Sequence, residues 1–445
     1  MRILLKNVRV PLTGNTTSDA VIIIEDGVIS GISKTAPPLQ GFDEIIDGGG
    51  GIAVPGAIDI HAHIYDPDYT HHEDFATGSI AAAFGGITTF YDMPLRLYMD
   101  SVERLKLKIE AGLKDSFINF SIIAGMMNEE NLSSAGSLRR EGVKAFKLFT
   151  CKPFRPKYDS TLTDVIAKIN SLNGLTMIHA EDDSLIDYLT QKFMAEGRHD
   201  PLAHHESRPP EGEAAAIRRV AAIAEYLDAR IHIVHASSAE GAEEVRASKC
   251  RGAKITAETC PHYLFFTRKD AEKWGNYLKT NPSLKTKDDV DSLWLALSDG
   301  TIDAVTSDHA PSPRDGKERD VWEAWGGIPG LETMFPLVFT YGVKKLGLLS
   351  LRRYVEVSSI NPARIMGIYP RKGALMVGSD ADIAVIGPDL CLKVKADNLH
   401  HKVDWTPYEG TELCGWPTHV IVNGYPLIID RELIRENRRP QYIKS

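Results

Sequence analysis

The chain has 445 residues, too long for one small domain and long enough for a large barrel of about 250 to 300 residues with a satellite. Hydrophobic residues make up 43% and charged ones 25%, which excludes an intrinsically disordered chain. A formal net charge of −9, from 51 basic and 60 acidic side chains, leaves no nucleic-acid footprint and suits a small polar substrate.

In chain order, residues 2–10, 20–25 and 28–32 read as short strands, with Asp26-Gly27 as a hairpin turn. Glycines 48 to 51 loosen the chain before Ile52-Ala53-Val54-Pro55-Gly56 and mark a boundary. Eight apolar, β-rich runs follow, at 57–63, 87–93, 118–124, 143–150, 175–180, 230–236, 254–259 and 302–308. Helical stretches such as 75–84, 102–113, 213–227 and 287–297 separate them. This alternation predicts an α/β fold, a (β/α)8 TIM-type barrel, whose active site lies at the C-terminal strand ends. Beyond it, a loop ends in Trp322-Glu323-Ala324-Trp325-Gly326-Gly327-Ile328-Pro329-Gly330, and helical segments run to about residue 367. The chain turns β-rich again at 382–386 and 418–422, with 393–412 a partly irregular excursion. Because both ends share this character, residues 1–54 and 372–445 are expected to meet in one small β-sandwich domain beside a barrel of residues 55–371.

Five cysteines, an odd number with no C-x-x-C pair, argue against a disulfide framework and make cytoplasm the default location. No apolar run reaches 18 residues, so no membrane segment is expected.

Six potential metal ligands fall at the far ends of the barrel runs: His61, His63, Lys147, His179, His235 and Asp308. Asp59-Ile60-His61-Ala62-His63 anchors the set, because alternate residues of a strand share a face and two imidazoles can grip one ion. A lone His-x-His among 15 histidines is weak evidence; the other four ligands change its weight. Lys147 shares a strand face with Val143, Ala145 and Phe149, where an ammonium is costly unless it is paired or loses its proton. It reads either as an ion pair with a barrel carboxylate or as a neutral amine that adds carbon dioxide to give a carbamate able to bridge two cations. His179 and His235 each end an apolar run, while His232 lies inside its strand on the opposite face and is assigned a structural role. Asp308 reads either as a turn or cap carboxylate or as ligand and general base.

In its motifs the chain resembles the amidohydrolase superfamily, in the cyclic amidohydrolase branch of dihydroorotases, allantoinases and hydantoinases. The resemblance spans nearly the whole chain. It is carried by Asp59-Ile60-His61-Ala62-His63, Gly86-Ile87-Thr88-Thr89, the strand of Lys147, His179-Ala180-Glu181, Ser207-Arg208-Pro209-Pro210-Glu211, His235, Glu258-Thr259-Cys260-Pro261-His262-Tyr263, Ser307-Asp308-His309 and Asn361-Pro362-Ala363-Arg364. It implies two divalent metal ions, usually zinc, with His61 and His63 on the more buried one, His179 and His235 on the other, and N6-carboxylated Lys147 between them. Asp308 would bind the first ion, activate the attacking hydroxide and protonate the leaving nitrogen. Asn281, His309 and Gly327 are candidate substrate contacts. A homodimer or homotetramer is implied by analogy.

The resemblance distinguishes substrates less sharply. Dihydroorotases similar to this chain hold the substrate carboxylate with an arginine two residues after the second histidine and an asparagine after Met-Pro; here those places are Tyr65 and Leu95. Met93-Pro94-Leu95 and Trp322-Glu323-Ala324-Trp325-Gly326-Gly327 are more similar to allantoinases, though Arg96 stands where they commonly carry asparagine. Tyr408-Glu409-Gly410 and Gly415-Trp416-Pro417 resemble hydantoinases. The reading is therefore a cyclic amide or ureide hydrolase, allantoinase-like, with dihydroorotase and hydantoinase or dihydropyrimidinase as alternatives. A catalytically silent scaffold of the same fold is the non-enzymatic alternative.

Overall fold

A computed structural model describes residues 1–445. The N-terminal strands are β1 (Arg2–Pro11), β2 (Thr17–Glu25), β3 (Val28–Ser33), β4 (Glu44–Asp47) and β5 (Ile52–Pro55). Eight more strands follow, separated by helices: β6 (Ala57–Ala62), β7 (Ile87–Asp92), β8 (Asn119–Ile122), β9 (Ala145–Phe149), β10 (Leu175–His179), β11 (Ile231–Ile233), β12 (Ile255–Thr259) and β13 (Ala304–Val305). All their pairings are parallel. Single bridges complete the ring: Ala124 pairs with Phe146 between β8 and β9, and Ala62 pairs with His309 beyond β13. The last closure matters for chemistry, because the Asp308 N–H donates to His61 O at 2.9 Å and the His63 N–H to His309 O at 2.8 Å. Backbone bonds thus fix Asp308 against the two histidines at the end of β6.

The C-terminal strands are β14 (Ile383–Ile386), β15 (Cys391–Lys393), β16 (Glu412–Cys414), β17 (Pro417–Val422), β18 (Tyr425–Ile429) and β19 (Glu432–Leu433). The main sheet runs β19-β18-β17-β14-β5-β1-β2-β3, with β4 beside β1. Both chain ends therefore build the β-sandwich around a local core of Ile3, Leu5, Ile22, Ile24, Ile383, Val385 and Ile421. Its other face shares the barrel's core: Ile52, Val54, Ala384, Ile386 and Val420 pack in one cluster with Phe84, Phe335 and Phe339.

We propose 1–54 with 372–445, against 55–371, as the domain division, with one adjustment at the C-terminus. Phe120 N–H donates to Gln441 O at 3.0 Å and Ile443 N–H to Phe120 O at 2.8 Å, so the tail pairs with barrel strand β8. Ile443 is buried with Ile58, Tyr91, Ile123 and Met366. The odd cysteine count also misled: Cys391 and Cys414 stand directly opposite across β15 and β16 and are disulfide-bonded. Cross-strand register, which spacing along the chain does not reveal, brings them together. No helix is long and apolar enough to cross a membrane.

Candidate active site

The six candidate ligands gather at one end of the barrel. His61 lies in β6 and His63 just after it, Lys147 is central in β9, His179 ends β10, and His235 and Asp308 follow β11 and β13. His235 (φ 43°) and Asp308 (φ 44°) adopt the left-handed backbone region. That conformation costs non-glycine residues about 1–3 kcal/mol and concentrates at functional sites. All six line one cavity of about 90 Å³, shared with Leu95, Phe149, Lys152, Phe154, Arg208, Asn281 and Gly327 among others. Its volume suits a small ring rather than a drug-sized ligand. A larger cavity of about 630 Å³ between Trp274, Tyr277, Arg314 and Trp405 contains none of the six.

Around Asp308 the geometry is tight. Its Oδ1 lies 3.2 Å from His61 Nε2 and 3.2 Å from His63 Nε2. The other nitrogen of each ring is already engaged: His61 Nδ1 pairs with Glu258 Oε1 at 2.5 Å, and His63 Nδ1 donates to Met93 O at 2.8 Å. A histidine whose Nδ1–H is spent on a carboxylate or carbonyl presents its Nε2 lone pair outward, which is how proteins orient metal-binding imidazoles. Glu258 is itself held by His232 Nε2 at 2.9 Å, and His232 Nδ1 by Thr256 Oγ1 at 2.8 Å. Burial opposes ionisation of Asp308, but His61 and His63 overcome it and hold the carboxyl well below the usual carboxylate range.

The second pair is arranged differently. His179 Nδ1 and His235 Nε2 meet at 2.9 Å, while His179 Nε2 contacts Glu181 Oε2 at 2.7 Å. Glu181 also takes a bond from Arg208 at 2.5 Å. His235 Nδ1 is buried without a hydrogen-bond partner. Burial pulls His61, His179 and His235 below the ordinary imidazole range, so they are neutral and carry lone pairs. Neutral imidazoles with a carboxylate form a donor set suited to zinc-type divalent ions.

Lys147 is 1% exposed, and its Nζ lies 4.9 Å from the Phe149 ring centroid. It forms no ion pair in this structure, and Asp308 and Glu258 are the carboxylates that act on it. Burial, only partly offset by Asp308 and Glu258, pulls the ammonium down to about 8. About a tenth is therefore a free amine at pH 7, far more than for an ordinary lysine.

The three candidate substrate contacts part ways. Asn281 lines the cavity and its Oδ1 is buried without a partner, leaving an acceptor for a ring N–H. Gly327 lines it too, at φ 153°, where an added Cβ would lie 2.4 Å from Ala310 O; its own N–H is spent on Lys279 O at 2.9 Å. His309 does not reach the cavity. Its Nε2 pairs with Glu73 Oε2 at 2.8 Å and its Nδ1 accepts from the Gly330 N–H at 3.1 Å, so both nitrogens are structural. Sequence reading gave no role to Glu258, Glu181 or Arg208, although all three lie in motifs that carry the resemblance. Nor did it mark His262, whose ring nitrogens are both buried and unpartnered.

A closed parallel barrel with these donors at its C-terminal strand ends defines the metallohydrolase class of TIM barrels. The chain belongs to the amidohydrolase family, whose model matches residues 52–427. It is 33% identical to a D-hydantoinase of Ralstonia pickettii over 100% of this chain and 99% of that one. It is 35% identical to a dihydroorotase of Ruminiclostridium cellulolyticum, covering 98% and 100%, and 33% identical to an allantoinase of Salmonella choleraesuis, covering 91% and 90%. Among solved structures, an L-hydantoinase (dihydropyrimidinase) from Arthrobacter aurescens superposes with a TM-score of 0.95 at 31% identity, over 100% of this chain and 99% of that one.

Proposed function

We propose that the chain hydrolyses a cyclic ureide, with a 5-substituted hydantoin ring such as allantoin as its substrate and allantoate as the product. The observation that carries the reading is the convergence of four histidines, Asp308 and an unpaired Lys147 in one small cavity. Names alone do not separate the candidates, since hydantoinase, dihydroorotase and allantoinase relatives share 31 to 35% identity with this chain. Allantoin is itself a hydantoin bearing a ureido group, so the allantoinase-like and hydantoinase-like motifs favour one ring. Dihydroorotase is the second reading, disfavoured by Tyr65 and Leu95 in place of carboxylate-binding residues. A lost charge-assisted pair is worth about 1.5–3 kcal/mol.

Each residue has a defined task. A free Lys147 amine would add carbon dioxide and lose a proton, and the resulting carbamate would join the four histidines and Asp308 as an anionic ligand. Two divalent ions, zinc by family habit, would be held by these groups and would supply a Lewis acid for the ring carbonyl and an acidified water. Asp308 accepts the proton of the attacking water and returns it to the leaving ring nitrogen. Both imidazole contacts use its Oδ1, leaving Oδ2 for this transfer. Asn281 Oδ1 takes a ring N–H and orients the amide. In solution the protein is a homodimer or homotetramer on this reading.

The test is a comparison of kcat/KM for allantoin, hydantoin, dihydrouracil and dihydroorotate on protein purified with zinc and bicarbonate, alongside its metal content. Preference for a hydantoin ring with about two ions per chain supports the reading. Preference for dihydroorotate overturns the substrate assignment, and less than about one ion per chain with no turnover points to the silent scaffold.

A further inference from the structure

One guanidinium at the cavity rim has no acceptor in the protein. Arg96 follows Leu95, which lines the cavity, and its guanidinium carbon sits 5.2 Å from the Tyr69 ring centroid and 4.7 Å from that of Trp325. Trp325 is itself fixed, donating its indole N–H to Ala310 O at 2.9 Å, and it directly precedes Gly326 and Gly327 of the cavity wall. Stacking occupies the faces of a guanidinium and leaves its N–H edges in the plane. The arrangement therefore immobilises Arg96 while keeping its hydrogen-bonding fork free. Its neighbours differ: Arg208 is committed to Glu181 and Arg155 to Asp183 and Asp159, whereas Arg96 has neither an ion pair nor a hydrogen bond.

A chain of ring contacts links the fork to the site. His63 stacks on Tyr65 with centroids 6.4 Å apart, Tyr65 meets Trp325 at 5.9 Å, and Trp325 carries Arg96. Arg96 thus stands three contacts outward from His63, through Tyr65 and Trp325, beside the Gly326-Gly327 wall of the cavity. A pre-positioned, always-charged fork with two parallel donors matches a planar pair of oxygens, or a single carbonyl oxygen, better than it matches an alkyl group.

We propose that Arg96 is the specificity-determining residue for the ring's exocyclic group, and that it selects substrates whose substituent presents planar oxygen acceptors. The shared chemistry is met by the ureido carbonyl of allantoin and by the carboxylate of dihydroorotate. This inference rests on the cyclic-ureide reading and deepens it.

The experiment measures kcat and KM of wild type, Arg96→Met and Arg96→Lys on allantoin, dihydroorotate, hydantoin and dihydrouracil. The readout is a ratio: kcat/KM for each substituted ring over that for its unsubstituted parent. Methionine keeps the stacked aliphatic stem and removes the donors, so at least one ratio should fall about 10- to 100-fold, mainly through KM. Lysine, which keeps the charge and loses the fork, should recover only part of it. A fall confined to allantoin assigns the ureido group, one confined to dihydroorotate assigns the carboxylate, and a fall in both assigns the shared chemistry. Ratios that move less than about threefold, or a wild type that opens only unsubstituted rings, overturn the role of Arg96 and leave the hydrolase intact. A wild type that opens none of the four rings instead defeats the function on which the inference rests.

Discussion

His61 and His63 belong to one strand end, and each spends its Nδ1 on a protein acceptor, whereas His179 and His235 come from the ends of neighbouring strands, touch one another at 2.9 Å and leave His235 Nδ1 unpartnered. The first pair is oriented by the protein alone, through Glu258, His232 and Met93. The second is oriented by Glu181 and Arg208 on one side only, so it depends more on whatever lies between the rings. Asp308 contacts the first pair, and Lys147 is the one candidate placed to serve both. The same chemical group, an imidazole, is thus either preorganised or adaptable according to what its second nitrogen touches.

The sharpest way to break this comparison is Lys147→Ala. If a carbamate joins the two halves, turnover should be abolished, and short carboxylic acids in excess should restore a part of it. Wild-type turnover in this variant would remove the bridge altogether. Asp308→Asn should cost about 10²- to 10⁴-fold in kcat, the range of general acid–base contributions; unchanged kcat would place the proton transfer elsewhere.

A milder pair of substitutions separates the halves. Glu258→Gln should weaken metal retention at the first pair by about 10- to 100-fold and Glu181→Gln at the second, the usual cost of losing a supporting carboxylate. In the wild-type protein, stepwise chelation followed by metal analysis should release one ion first, leaving about one per chain. Simultaneous loss of both ions in the wild type would mean that the halves are not unequal.

The last effect is on stability rather than on turnover and concerns the loop after His235. Glu213 accepts from the Ser237 N–H at 2.8 Å and from both Ser237 and Ser238 hydroxyls, and burial pushes its carboxyl up to about 7. The folded value lies above the unfolded one of 4.5, so the folded state binds this proton more tightly. Its stabilisation is complete below about pH 4.5 and fades as pH rises through about 7. The shift corresponds to roughly 3 kcal/mol. Glu213→Gln should flatten the Tm profile between pH 5 and 8, as followed by thermal melting; an unaltered slope would show that Glu213 is already ionised in the fold.

Much of this was legible in the chain because barrel strands are short, apolar and end in their functional residue. The run at 87–93 corresponds to Ile87–Asp92 and the helix at 75–84 to Phe75–Phe84. Ligands at strand ends could be found one by one. Their supports could not, since Glu258 lies almost two hundred residues from His61 and meets it only when the ring closes. His309 was misjudged for a related reason: adjacency to Asp308 suggested a shared task, but the chain turns its ring toward Glu73 and Gly330. Pairing of Cys391 with Cys414 and of the tail with β8 likewise depends on cross-chain register that local periodicity does not encode.

The composite sandwich has a consequence for synthesis. β5 pairs with β14 in the register Ile52 to Ile386, so strands made at the start wait for a partner more than three hundred residues later. At a ribosomal rate of about 5–20 residues per second, that interval is roughly a quarter of a minute to a minute. During it, one edge of β5 remains open, a template for pairing with another nascent chain. The barrel, whose strands pair with close neighbours in sequence, can form within that window. Expression at lower temperature or with chaperones should therefore raise the soluble yield of the whole protein without altering the hydrolytic centre.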